Sequence, residues 1–205
     1  MGGMVAVVAG STGMVGQELV RQLCSNKDYS AVIALVRDPA AARALLQSSN
    51  KVLIRELPTG QDTIVGDEFY CALGTTIKKA GSKAAFAAVD HDLVLDLAAR
   101  ARAGGVGRVV VVTSVGSDSN SSNFYLRVKG QTERDLVALG LKRLEIYRPS
   151  LLLGSRSESR PMERFGIIVA PFLSWTLRGA LSKYRPISAV ELAAKMIRGE
   201  PLAGS

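Results

Sequence analysis

The chain has 205 residues, 47% of them hydrophobic and 21% charged, with a formal net charge of +8. That is room for one domain, or at most two small ones, around a substantial core. Two cysteines, Cys24 and Cys71, exclude a disulfide framework, and neither has a Cys or His partner at metal-ligand spacing, so both read as small core residues. This cysteine usage, and the absence of a charged and apolar leader ahead of the first strand, lead to the expectation of a cytoplasmic protein. The run FGIIVAPFLSW (165–175) is too short to span a bilayer and contains Pro171, so no membrane span is expected. Residues 101–205 carry sixteen basic and eight acidic side chains, whereas residues 1–100 carry ten of each. The excess is either a solubilising surface or a basic rim that attracts an anionic cofactor, substrate or partner. Nucleic acid is not expected as a partner, because no binding motif and no aromatic-interleaved basic stripe is present.

The first predicted strand, MVAVVAG (4–10), runs directly into GSTGMVG and then into a segment of helical period, VGQELVRQLCS. Gly10, Gly13 and Gly16 thus fall in a G-x-x-G-x-x-G pattern at a strand–turn–helix junction. Gly10 permits the tight turn, Gly13 lets a diphosphate approach the backbone, and Gly16 lets helix and sheet pack closely. Met14 and Val15 open the helix, whose free N–H groups and partial positive charge suit phosphate. Ser11 and Thr12 add hydroxyls beside the glycines.

The second strand, AVIALV (31–36), ends at Arg37-Asp38. An acid at this corner accepts from the ribose 2′-hydroxyl of NAD, whereas Arg37 would meet the 2′-phosphate of NADP. The favoured cofactor is NADP. A one-residue shift in the strand boundary would instead make Asp38 the ribose acceptor and leave NAD as the alternative. AAARALLQS reads as the second helix and KVLIREL (51–57) as the third strand. EFYCALG (68–74) reads as the fourth, with Leu73, Gly74 and Thr75 at its carboxyl end. There Gly74 would let a cofactor come close.

FAAVDHDLVLDLAARARAGG (86–105) reads as one helical run, within which the lone histidine, His91, is a structural or surface residue. RVVVVTS (108–114) is the fifth strand and leaves Thr113 and Ser114 at the sheet edge. The next helix begins in SSNFYLRVKGQTERD, with Tyr125 and Lys129 four apart and so on one face. A phenol is a weak acid, with a reference pKa of about 10, and a nearby cation lowers it toward the range useful for proton transfer. Ser114, Tyr125 and Lys129 are therefore the candidate catalytic residues, Ser114 to hydrogen-bond a carbonyl oxygen and Tyr125 to protonate it. Lys129 also has the reach to touch a nicotinamide ribose.

LEIYR (144–148) is the sixth strand. An irregular excursion follows at about 150–186, before a final helix that the capping box Ser188–Glu191 opens. Arg156, Arg160 and Arg164 in the excursion read either as contacts for an anionic substrate or as a solvated face. Trp175 reads as a core or dimer contact. Strand runs that are apolar throughout imply burial on both faces, hence an α/β fold in which a doubly wound parallel sheet of Rossmann-like type is flanked by helices. Residues 1–205 are expected to form one NAD(P)-binding domain.

These residues resemble the short-chain dehydrogenase/reductase superfamily, which uses Ser, Tyr and Lys in these roles. GSTGMVG, CALGTT, KAGS, ARAGG, SNFYLRVKGQTE, YRPSLLLGSR and ESRP are similar, more closely, to the atypical branch typified by the animal HIV Tat-interacting protein. The resemblance implies NADP(H) binding through Gly10, Gly13, Gly16, Arg37 and Lys129, with further contacts from Arg148, Pro149, Ser150 and Leu151. Animal members carry a segment ahead of the first strand that this sequence does not show. Thr113-Ser114 stands where the branch tends to have paired serines, which leaves the choice among Thr113, Ser114 and Ser117 open.

The expected function is an NADP(H)-binding oxidoreductase that moves hydride to or from a carbonyl or alcohol on an unidentified small molecule, with an anionic one among the options. The alternatives are a non-catalytic NADP(H)-binding regulator or scaffold, and a sugar-nucleotide epimerase or dehydratase. A homo-oligomer is an open option that no residue fixes.

Overall fold

The computed structural model describes residues 2–46, 49–153 and 185–202. Six parallel strands form one sheet in the order β3-β2-β1-β4-β5-β6. They are β1 (Met4–Ala9), β2 (Tyr29–Val36), β3 (Val52–Glu56), β4 (Glu68–Cys71), β5 (Arg108–Val112) and β6 (Leu144–Tyr147). Between them lie α1 (Met14–Ser25), α2 (Pro39–Leu46), α3 (Ile77–Ala80), α4 (Lys83–Ala87), α5 (Leu93–Ala103) and α6 (Phe124–Ala138). A short parallel pair, β7 (Leu152–Leu153) with β8 (Ile187–Ser188), precedes α7 (Ala189–Arg198). Most of the predicted excursion, with Arg156, Arg160, Arg164 and Trp175, lies outside the described residues.

Both faces of the sheet are covered, which is why the strands are apolar without alternation. Ala6 and Val8 of β1 pack with Leu19 and Leu23 of α1 and with Leu192 and Met196 of α7. Val7 and Ala9 point the other way and pack with Leu97 and Ala101 of α5. Each buried leucine here is worth about 2–5 kcal/mol against truncation to alanine.

The single helical run expected over 86–105 is divided. One wide turn of π type, Ala88–Asp92, joins α4 to α5. The fourth strand is shorter than its apolar run: it ends at Cys71, and the Ala72 N–H makes a further bond to the Ala9 carbonyl at 2.9 Å. The capping box forms, the Glu191 N–H donating to the Ser188 hydroxyl at 3.0 Å.

The amino-terminal edge of the sheet holds a polar cluster. Arg108 donates from Nε to Glu145 Oε1 at 2.9 Å, from Nη1 to the Tyr70 hydroxyl at 3.0 Å, and from Nη2 to the Met196 carbonyl of α7. Tyr29 donates to Glu68 Oε2 at 2.6 Å, and burial pushes its phenol up to about 12. Every member has partners, as buried polar groups require.

Candidate cofactor and catalytic site

The strand order reverses between β1 and β4, and loops at the carboxyl ends of these neighbours leave the crevice in which this fold binds ligands. Gly10 turns the chain there at φ +76, and a Cβ on it would stand 2.5 Å from the Ala72 carbonyl oxygen. On Gly16 a Cβ would lie 2.1 Å from the Gly10 carbonyl oxygen. These two glycines are demanded by the chain itself.

Gly13 and Gly74 are different. A Cβ on Gly13 would touch only the Gly10 carbonyl oxygen, at 3.2 Å, and one on Gly74 only Asp90 Oδ1, at 3.6 Å. A Cβ would make an ordinary contact at Gly74 and press on a single oxygen at Gly13, so the space in front of both is largely open. Gly13 is also the N-cap of α1, which has no side-chain cap and no acid in its first turn. The first-turn N–H groups, contributed by Met14, Val15 and Gly16, thus meet the requirement for an anion. The residues fit a dinucleotide. Thr12 is exposed, but Ser11 is fully buried and its hydroxyl donates to the Leu35 carbonyl at 3.4 Å, so that side chain is turned toward β2.

At the end of β2 Arg37 and Asp38 have different surroundings. Asp38 Oδ1 accepts the N–H groups of Ala40 and Ala41 at 2.9 and 3.1 Å, and so caps α2, with Pro39 in the first helical position. Arg37 is exposed at the strand's carboxyl end and has no ion pair among the described residues.

Three hydroxyls compete at the end of β5. Thr113 is buried and donates to Glu133 Oε1 at 2.5 Å. Ser117 donates to the Ser114 carbonyl at 2.6 Å. Ser114 is half-buried and makes only a long bond, 3.3 Å, to the Val115 carbonyl. Glu133 is held in turn by the Arg148 guanidinium, whose Nε lies 3.0 Å from each carboxylate oxygen.

The other residues after β6 are also engaged by the chain. Pro149 is buried, and its carbonyl accepts the Val115 N–H at 2.9 Å. Ser150 donates to the Arg185 carbonyl at 2.6 Å, and Leu151 is 41% exposed.

Helix α6 starts at the Asn123 N-cap and carries both Tyr125 and Lys129. It lies close under the preceding loop: a Cβ on Gly130 would stand 2.2 Å from the Asp118 carbonyl carbon and from the Ser119 nitrogen. The Tyr125 ring is tilted against Phe86 with centroids 5.5 Å apart, and its hydroxyl has no partner among the described residues. Lys129 is buried, and its ammonium goes to Asp90, with Nζ 2.8 Å from Oδ1. Thus the ammonium expected beside Tyr125 alone is paired with a fully buried carboxylate. The other Asp90 oxygen accepts the Thr75 N–H at 2.9 Å.

Asp90 is the residue that sequence reasoning missed. A signal was present: Phe86, Asp90, Val94, Leu97 and Ala101 form one helical stripe, and an acid on an otherwise apolar stripe needs a buried partner. The neighbouring His91 ties helices together, Nδ1 lying 2.7 Å from Asp92 Oδ1 and Nε2 2.9 Å from Asp135 Oδ2. Burial alone would lower its pKa, but the two carboxylates outweigh burial and raise it. Among the described residues no cluster of His, Cys, Asp or Glu could hold a metal ion, and no helix is long and apolar enough to cross a membrane.

The family model described as HIM1 matches residues 25–168, more than half of the chain. The chain belongs to the HIM1 family. This HIM1-family protein is similar to "Protein FMP52, mitochondrial" of Debaryomyces hansenii, 32% identical over 97% of this chain and 89% of the relative. Among solved structures it resembles the Bordetella bronchiseptica enzyme WbmH in complex with NAD+. That match has a TM-score of 0.69 and 16% identity, and covers 95% of this chain and 71% of that one. It also resembles the UDP-N-acetylglucosamine 4-epimerase of Methanobrevibacter ruminantium in complex with UDP-N-acetylmuramic acid. Here the TM-score is 0.66 and the identity 15%, over 96% of this chain and 73% of that one. At such identities the likeness is one of fold.

The cytoplasmic expectation is corrected by these relatives. Four curated FMP52 proteins matched by this HIM1-family chain are all named mitochondrial. Reduced cysteines do not distinguish the cytoplasm from other thiol-reducing compartments, which is why that inference failed.

Proposed function

We propose that this HIM1-family protein binds NADP(H) at the β1–α1 turn and reduces or oxidises a carbonyl or alcohol group. The observation that carries the proposal is the uncapped first turn of α1 with largely open space at Gly13 and Gly74, on the carboxyl edge of the sheet at which β5 also ends before Ser114. Arg37, exposed and without an ion pair among the described residues, would receive the 2′-phosphate and so favour NADP over NAD. The resemblance to the Tat-interacting-protein branch supports the same preference. The names of this protein's FMP52 relatives support a mitochondrial setting for that work.

When bound, the nicotinamide supplies or accepts the hydride. The chain's own residues do the rest. Ser114, the least committed of the three hydroxyls, donates a hydrogen bond to the substrate oxygen. Tyr125 delivers a proton from its hydroxyl to that oxygen during reduction and takes it back during oxidation. Lys129 orients the cofactor ribose from a position that Asp90 fixes. The test is side-by-side titration with NADPH and NADH, followed by a carbonyl screen of wild type and Tyr125→Phe. Micromolar NADPH binding with NADH at least about tenfold weaker, and turnover lost in the variant, is the expected result. Absence of binding to either nucleotide overturns it.

One observation favours a second reading, a cofactor-binding regulator without turnover. The Lys129 cation is balanced by Asp90, which weakens its pull on the Tyr125 proton. NADPH-dependent capture of a protein partner, intact in Tyr125→Phe, would support that reading.

A further inference from the structure

Asp90 stands at a meeting of three parts of the site. It is fully buried in the wide turn between α4 and α5. One carboxylate oxygen faces Lys129 Nζ at 2.8 Å, and the other accepts the Thr75 N–H at 2.9 Å, in the loop that follows β4. Its backbone carbonyl accepts the Thr132 hydroxyl of α6 at 2.9 Å. Gly74, whose missing side chain leaves open space, precedes Thr75 and would carry its Cβ toward this same carboxylate. A wide turn of this kind is rare in helices and is frequently found at functional sites. Here it puts an acid into the core behind the site.

We infer that Asp90 is a positioning residue that balances the charge of Lys129, and that this balance sets how the site discriminates the oxidised from the reduced nicotinamide. The inference rests on the cofactor reading above. The oxidised ring carries a positive charge and the reduced ring carries none. A lone ammonium in a buried site would oppose the first and ignore the second, whereas the Asp90–Lys129 pair presents no net charge to either. In a site of effective dielectric near ~20, one uncompensated charge shifts the binding constant of a cationic group by about tenfold or more. Thr75, held by the same carboxylate, keeps the β4 loop in register with the pair.

The experiment measures dissociation constants of NADP+ and NADPH for four proteins: wild type, Asp90→Asn, Lys129→Met and the double variant. Asp90→Asn should raise the ratio Kd(NADP+)/Kd(NADPH) by at least about tenfold. Lys129→Met should lower it by a similar factor, and the double variant should return to within about threefold of wild type, as a charge-pair cycle requires. A tenfold change in that ratio corresponds to about 30 mV in the potential of the bound two-electron couple. A merely structural role for Asp90 would weaken both forms alike and leave the ratio unmoved, which would overturn the inference. Each single variant decides alone, because the expected signs are opposite. Should neither fold, the double variant buries no charge and still decides: a ratio displaced more than about threefold from wild type overturns the inference. Wild-type protein that binds neither form defeats the cofactor reading instead, whereas binding of both with an invariant ratio defeats only the role of Asp90.

Discussion

Asp38 caps α2 with the same carboxylate that a ribose hydroxyl would need, while Arg37, one residue earlier, is exposed and unpaired among the described residues. The two neighbours therefore have separable jobs. Asp38→Ala should cost about 1 kcal/mol of stability, the usual loss of an N-cap, with little change in the NADPH/NADH preference. Arg37→Ala should leave the melting temperature within about a degree or two and reduce the preference for NADPH by about tenfold or more. Thermal melts and paired nucleotide titrations separate the effects.

The glycines of the first turn should divide in the same manner. Gly16→Ala places a methyl 2.1 Å from the Gly10 carbonyl oxygen and must displace α1 from the turn, so a loss of about 3 kcal/mol or more, or failure to fold, is expected. Gly13→Ala presses on only one backbone oxygen, at 3.2 Å, and should lose much less stability than Gly16→Ala yet bind NADPH about tenfold less tightly. Equal loss of stability in both variants would contradict this division.

At the end of β5, Thr113 and Ser114 should exchange stability for activity. Thr113→Val leaves a Glu133 oxygen without its hydroxyl donor, at a cost of about 1–3 kcal/mol in chemical denaturation. Ser114→Ala breaks only a 3.3 Å bond and should melt like wild type, while any turnover falls by about 10²-fold.

The His91 bridge makes the fold sensitive to pH. Because the folded-state pKa of His91 is raised, the bridge contributes its full stability below the unfolded value of about 6.5 and loses it as pH rises through the folded value. Asp135 is drawn down to about 2, first by Arg134 and then by His91, so its contribution is present above about 4 and fades as pH falls toward 2. His91→Gln should therefore be less stable than wild type at pH 5.5, by an amount on the order of 1 kcal/mol for so exposed a pair, with the gap narrowing as pH rises. A gap that widens with pH would refute the assignment.

How much of this was legible follows from range. The six strands and the first glycine turn could be read because their signals are local: apolar runs flanked by helical period, and three glycines spaced within seven residues. Ser188 and Glu191 likewise revealed their helix start. Asp90 and Lys129 are 39 positions apart in sequence, and their pairing depends on the angle at which α5 meets α6. No spacing rule carries that angle. The pairing of Thr113 with Glu133 and the capping of α2 by Asp38 were hidden for a related reason. A polar side chain at a strand end can face the chain or the cleft, and periodicity is the same in both cases.

The polar cluster around Arg108 has a consequence for change over time. Tyr29, Glu68, Tyr70, Arg108 and Glu145 at the amino edge of the sheet are bonded to one another and to the Met196 carbonyl of α7, so each constrains the rest. The opposite edge holds groups that the described fold does not use: the Tyr125 hydroxyl, the Arg37 guanidinium and the first-turn amides of α1. Substitutions of Tyr125 or Arg37 can be sampled one at a time without threatening the fold, whereas those at the amino edge must arrive in compatible sets. A lineage built on this plan is free to drift in what it recognises while remaining conservative in how it folds.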